Sequence, residues 1–154
     1  FVGSNAEKVV RNSEIPVLVI KKEDDNFNIN NFVYASDFSD EIKKPFEKVV
    51  EFANKFGAKL HLVTINTPNH FMSTSAAEKK LADFVSNFKI DSFQTHIYND
   101  VNVDKGVLNF SKSINADLIG MSTHGRKGIS HFFNGSRSED LVNHATLPVI
   151  TFKI

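Results

Sequence analysis

Short apolar runs alternate with helical stripes along most of the chain. Asn31 to Ser36 (NFVYAS) is a compact apolar run, and Phe46, Val49, Val50, Ala53 and Phe56 then recur at the spacing of one helix face. Gly57 is placed to end that helix, because glycine takes the left-handed conformation without a Cβ penalty. Lys59 to Asn66 (KLHLVTIN) alternates as a strand, and Leu81, Phe84, Val85 and Phe88 mark a second helix at i, i+3, i+4 and i+7. Ser92 to Tyr98 reads as the third strand, Val107, Phe110 and Ile114 as the face of a third helix, and Asp117 to Ser122 (DLIGMS) as the fourth strand. A last helix is expected over about Ser136 to His144, and Pro148 to Phe152 closes the series. Strands separated by helices imply right-handed crossovers. The expected fold is therefore α/β: a doubly wound, mostly parallel, five-stranded sheet with helices on both faces. Sheets of this kind place ligands outside the carboxyl ends of their strands, where strand order reverses. The loops after the first, second and fourth strands are accordingly the candidate site.

A second pattern crosses the first. Phe1-Val2-Gly3-Ser4-x-x-Glu7 and Pro16-Val17-Leu18-x-Ile20-Lys21 return as Phe133-Asn134-Gly135-Ser136-x-x-Glu139 and Pro148-Val149-Ile150-x-Phe152-Lys153. The offset from Gly3 to Gly135, and from Pro16 to Pro148, is a constant 132 residues. Solenoid repeats are far shorter, so this reads as duplication of a whole domain. With no initiator Met at its start, the chain is expected to be a piece of a longer tandem protein. Residues 1–22 would be the last helix and strand of a preceding domain, 23–29 a linker within the charged, Asn-rich stretch Lys21 to Asn30, and 30–154 a complete domain. The strand Val17 to Lys21 has no sheet of its own here, and an unpaired strand is an aggregation hazard.

Composition narrows the function. Acidic and basic residues number 18 each, so no global field recruits nucleic acid or an anionic membrane surface. Nothing in the sequence resembles a transmembrane span or a signal peptide. The absence of cysteine removes thiolate catalysis and Cys-ligated zinc, and fits a cytoplasmic protein. Of the three arginines, Arg11, Arg126 and Arg137, two fall in the glycine-bearing segment after the fourth strand.

That segment runs Ser122-Thr123-His124-Gly125-Arg126-Lys127-Gly128, then Ile129 to Asn134, then Gly135-Ser136-Arg137-Ser138-Glu139. Gly135-Ser136 opens the last expected helix, so the free N–H groups of Ser136, Arg137 and Ser138 would converge at its positive end and could hold phosphate. Ser136-x-x-Glu139 is equally a capping box, repeated as Ser4-x-x-Glu7, and a capping box needs no ligand. Neither G-x-G-x-x-G nor G-x-x-x-x-G-K-[ST] occurs, which removes the main support for dinucleotide folds and P-loop enzymes.

Residues 30 to 154 resemble the universal stress protein family over their whole length. The resemblance rests on the Asp37-Phe38-Ser39 turn, the Thr123-His124-Gly125-Arg126 loop, and the nine residues from Gly125 to Gly135-Ser136, ending in Pro148-Val149. The family's nucleotide-binding branch has Gly, two residues, Gly, nine residues, then Gly-Ser or Gly-Thr, and this chain has Ser122 where the first glycine belongs. The resemblance implies a pocket for ATP, alone or with Mg²⁺. Asp37 would face the nucleoside with the backbone of Ala35 and Ser36 beside it. Thr64 would meet the adenine through its backbone, and Met121, Ser122 and Gly125 would line the ribose and phosphate approach beside Arg126. Gly135, Ser136, Arg137 and Ser138 would hold the phosphates. If position 122 requires a positive φ, serine costs about 1 kcal/mol there; at negative φ it costs little and offers a hydroxyl. The resemblance also implies association through the last strands, as a homodimer or within one chain, with Pro16 to Ile20 antiparallel to Pro148 to Phe152. The expected function is a nucleotide-dependent stress-response interaction module. The alternative is a domain that does not bind nucleotide and serves as a dimerising half.

The remaining candidates carry less. Asp37 could also be an Asx-type cap for a helix beginning near Ser39. His124 has no carboxylate partner evident in sequence, His61, His70, His96, His131 and His144 show no ligand spacing, and neither Ser36 nor Ser39 is marked as an activated nucleophile. Lys127 reads as a solvated loop charge, and Phe132-Phe133 as core. Thr67 to Ser75, centred on Phe71 and Met72, is open to two readings, a flap or a tucked loop. With no Walker lysine and no water-positioning base, no catalytic residue is assigned, and hydrolysis would at most be slow.

Overall fold

The computed structural model of the chain describes residues 4–123 and 147–154. In chain order these form helix α1 (Ser4–Asn12), strand β1 (Val17–Val19), β2 (Asn31–Ala35), a 3₁₀ turn (Asp40–Ile42), α2 (Lys43–Phe56), β3 (Lys59–Asn66), α3 (Thr74–Val85), β4 (Phe93–Asn99), α4 (Val103–Ser113), β5 (Leu118–Thr123) and β6 (Val149–Lys153). The strands make one six-stranded sheet in the order β1-β6-β5-β2-β3-β4, parallel throughout except for the antiparallel pair β1–β6. The expected α/β fold with an added edge strand is what the residues adopt.

Local chemistry sets the element ends. Gly57 caps α2 in the left-handed region at φ 63° and donates its N–H to Ala53 and Asn54 carbonyls. Ser73 and Asn102 cap α3 and α4 by accepting from the N–H groups of Ala76 and Lys105. The helix expected near Ser39 begins as the 3₁₀ turn, and α2 proper starts at Lys43. β3 does not alternate as its sequence implied: Leu60 to Val63 are all buried, because helices cover both faces of a central parallel strand. Phe56, counted on the buried face of α2, is exposed and leans on Phe52 with ring centroids 4.7 Å apart.

Two apolar layers flank the sheet. On one face Phe32, Tyr34, Leu60, Leu62, Leu118, Ile150 and Phe152 meet Phe46, Val49 and Ala53 of α2 and Leu81 and Phe84 of α3. On the other, Val33, Val63, Ile119 and Met121 meet Val107 and Phe110 of α4, and Val10 of α1 joins them. Residues 23–29 are anchored to this body, since Ile29 is buried and Phe27 packs on the first layer.

Gly120 lies on β5 opposite Tyr34 of β2, with the Phe32 ring packed against it. A Cβ there would stand 2.6 Å from Phe32 Cε2 and 2.8 Å from Cζ, both on a fully buried ring. Gly120→Ala is therefore expected to overpack the core and cost about 1–3 kcal/mol, read as a lower urea midpoint at unchanged m-value.

Candidate functional site

The sheet order sets the place. From β2 the chain adds β3 and β4 on one side, then returns to add β5 and β6 on the other. Strand order therefore reverses between β2 and β5, and the crevice beyond their carboxyl ends is where a doubly wound sheet binds ligands. Ala35, Ser36 and Asp37 leave β2 at this point, Met121 and Ser122 lie at the end of β5, and Thr64 sits near the end of the adjacent β3. The structure brings these six together. Gly125, Arg126, Gly135, Ser136, Arg137 and Ser138, with His124, Lys127 and Phe132-Phe133, lie outside the described residues.

The β2 exit is held by its own side chains. Ser36 Oγ accepts from Phe38 N at 3.0 Å, Asp37 Oδ1 accepts from Ser39 N at 3.0 Å, and Ser36 N donates to Val63 O at 3.2 Å. Asp37 thus makes the Asx-type turn, while the residue itself is exposed. Between these turns Phe38 takes φ 52°, unusual for a bulky side chain. Its buried ring explains the tolerance, being fixed edge-on to Phe84 at 5.1 Å and Tyr34 at 6.2 Å.

The structure adds detail at two of the assigned residues. The Met121 side chain is buried with Val10, Val107 and Leu108, so it offers the crevice only its backbone. Ser122 is strand backbone paired with Phe152 and is absent from the positive-φ residues, which are Phe38 and Asn115 among those described apart from glycine. Serine is thus not strained there, and its Oγ lies 2.5 Å from the hydroxyl of Tyr34. Tyr34 escaped the sequence reading because an apolar strand run gives no sign that its hydroxyl ends at the crevice. Phe71 and Met72 are exposed, which rules out the tucked reading of their loop.

A second polar cluster was also missed. His61 Nδ1 and His96 Nε2 are 3.0 Å apart, and His61 Nε2 meets Asn31 Oδ1 at 3.0 Å. It lies toward the amino ends of β2 and β3, away from the crevice. At that same end a cleft of about 630 Å³ includes Phe27, Asn30, Asp117 and Pro148 in its lining. Its Asp117 carboxylate is already engaged by the N–H groups of Asn30 and Asn31 at 2.9 and 2.8 Å. No group of three or more His, Cys, Asp or Glu able to hold a metal occurs among the described residues.

Comparison with known proteins decides the family. The profile of the universal stress protein family matches residues 28–153. The chain belongs to the universal stress protein family. A universal stress protein of Synechocystis is 23% identical over 99% of this chain and 52% of its own length. The crystal structure of a universal stress protein from Archaeoglobus fulgidus superposes with TM-score 0.68 at 25% identity, over 96% of this chain and 53% of that one. The chain thus spans about half the length of these two relatives. Another universal stress protein from Archaeoglobus fulgidus, solved in complex with dAMP, shares the fold at TM-score 0.56 and 17% identity, over 82% of this chain and 99% of that one. Among the described residues no helix of this universal stress protein is long and apolar enough to cross a membrane.

Proposed function

We propose that this universal stress protein domain binds ATP, with Mg²⁺ accompanying the phosphates, and acts as a nucleotide-dependent interaction module in the cytoplasm. The observation that carries the reading is the crevice at the strand-order switch, where Ala35, Ser36, Asp37, Thr64 and Ser122 converge on the face used by doubly wound folds. Family membership and the dAMP complex of a relative support it. Asp37, Thr64 and the backbone of Ala35 and Met121 would take the nucleoside. Gly125, Arg126 and the Gly135 to Ser138 segment would take the phosphates. Hydrolysis, if any, would be slow, because the described crevice offers no group poised to activate water.

The test begins with freshly purified protein, denatured in acid, the supernatant chromatographed for adenine nucleotides. A near-stoichiometric ATP or ADP peak is expected, and Gly135→Val should remove it, because a branched side chain would stand where backbone must approach phosphate. An empty supernatant, followed by no heat on titrating Mg-ATP to about millimolar, a level that corresponds to only about 4 kcal/mol of binding, would sink the proposal.

A second reading is favoured by one observation, the pairing of β1 with β6. In it the domain serves as the dimerising half of a tandem chain, with residues 1–22 ending a preceding domain, 23–29 linking, and 30–154 forming the second domain. Val9, Ile15, Leu18 and Ile20 are exposed apolar side chains on the amino-terminal segment, where such a neighbour would sit. In this second reading the domain binds no nucleotide, so the nucleotide assay separates the two.

A further inference from the structure

At the floor of the crevice three hydroxyls meet. Tyr34 is fully buried, and its hydroxyl contacts Ser122 Oγ at 2.5 Å, with the Ser36 hydroxyl close enough to act on it. Ser36 Oγ already accepts the Phe38 N–H, so its own proton is free to point at the tyrosine oxygen. Burial holds the Tyr34 hydroxyl well above the usual phenol range, so it stays protonated and has one proton to give. A phenol is a stronger donor than an aliphatic hydroxyl, so that proton goes to Ser122 Oγ. Ser122 is half-buried, sits at the carboxyl end of β5, and keeps its own O–H for an acceptor outside the pair.

We infer that Ser122 donates a hydrogen bond to a sugar or phosphate oxygen of the bound nucleotide, and that Tyr34 is the positioning residue that aims it. The inference rests on the proposed nucleotide-binding function and makes it more specific. The serine that stands in the family's glycine position then supplies a ligand contact that glycine cannot make. Since its backbone is unstrained, nothing in the chain's conformation offsets that gain.

The test is calorimetric titration of AMP and of Mg-ATP into the whole chain and into Ser122→Ala, Ser122→Gly, Tyr34→Phe and the double variant Tyr34→Phe/Ser122→Ala. Ser122→Ala and Ser122→Gly should each weaken binding about three- to tenfold, the loss of one neutral or charge-assisted hydrogen bond. Tyr34→Phe should weaken it by less, and the double variant should bind no more weakly than Ser122→Ala, because Tyr34 acts through Ser122 alone. Thermal melts run alongside register any purely structural role of the hydroxyl pair. Lower melting temperatures with dissociation constants within about twofold of the parent would overturn the inference while leaving nucleotide binding intact. A parent chain that binds neither nucleotide would overturn both.

Discussion

Lowering the pH from 7 to 5 is expected to remove about 2 kcal/mol from the stability of the folded chain, by the linkage between protonation and folding at His61. Asn31 Oδ1 can only accept, so His61 Nε2 carries the proton, and its bare Nδ1 must accept from His96 Nε2. A proton added to His61 would set N–H against N–H across 3.0 Å. Burial first, then His96 and Lys59, push the His61 pKa down to about 4 from 6.5, and burial first, then Lys59, lowers His96 as well. The facing groups are Asn31 on β2, Lys59 beside His61 on β3, His96 on β4 and the Phe110 ring of α4, 4.7 Å from that of His96. None is acidic.

The sign follows from the direction of the shift. A histidine whose folded pKa is depressed binds fewer protons when folded than when unfolded. Its contribution is intact above pH 6.5 and lost as pH falls toward about 4, to a total on the order of 3 kcal/mol. Glu14 and Asp40, each lowered by a hydrogen bond to lysine, would weaken the fold in the same direction but at still lower pH. Urea midpoints at pH 7, 6, 5 and 4.5 measure the slope, and His61→Gln should start lower at pH 7 yet fall much less to pH 5. A parent midpoint unchanged between pH 7 and 5 would refute the assignment.

That pair also shows where the sequence stops being readable. Elements could be read because each carries its own signal: a helical stripe, a capping serine, a glycine after a helix. The bounds expected for β3 are those observed. What depends on register could not. His61 and His96 meet only because β4 pairs with β3 in the frame that sets His96 beside Val63, and nothing local to either histidine encodes that frame. The alternation read into β3 failed for a related reason, since its second face is covered by α4, an element some 40 residues on. The candidate site was legible in outline, because βα alternation alone points to strand ends. Its interior was not. Asp37 permitted two readings from its chemistry; its Oδ1 makes the Asx turn, and that turn leaves Oδ2 for the nucleoside contact proposed above. The Tyr34–Ser122 contact spans 88 residues and turns a departure from the family motif into a hydrogen-bonded pair.

Removing residues 1–28 is expected to convert the chain into a dimer or larger assemblies. β1 pairs with β6 in the register Val17↔Thr151, Leu18↔Ile150 and Val19↔Val149. The repeat offset of 132 residues makes Ile150 the counterpart of Leu18, Val149 of Val17 and Thr151 of Val19. Val17 therefore faces the counterpart of Val19, Val19 faces that of Val17, and Leu18 faces its own, so the pair has an approximate two-fold axis through Leu18 and Ile150. A strand paired about such an axis is complementary to a copy of itself. Without β1, two β6 strands can pair with Ile150 opposite Ile150 and Val149 opposite Thr151, by the same backbone bonds. The incentive is strong, because deletion bares the backbone edge of β6 and takes Val10, Val17 and Val19 from their packing around Val149. The ion pair between Lys153 and Glu14, at 2.5 Å, is lost too, but an exposed pair of this kind contributes little. Size exclusion with light scattering, over a tenfold range of concentration, should show the deleted chain at twice the mass of a monomer or above. Leu18→Pro, which breaks β1 at its centre, should move the whole chain the same way. A deleted chain that stays monomeric across that range, with an undiminished urea midpoint, would show that β1 neither protects the edge nor adds to the core.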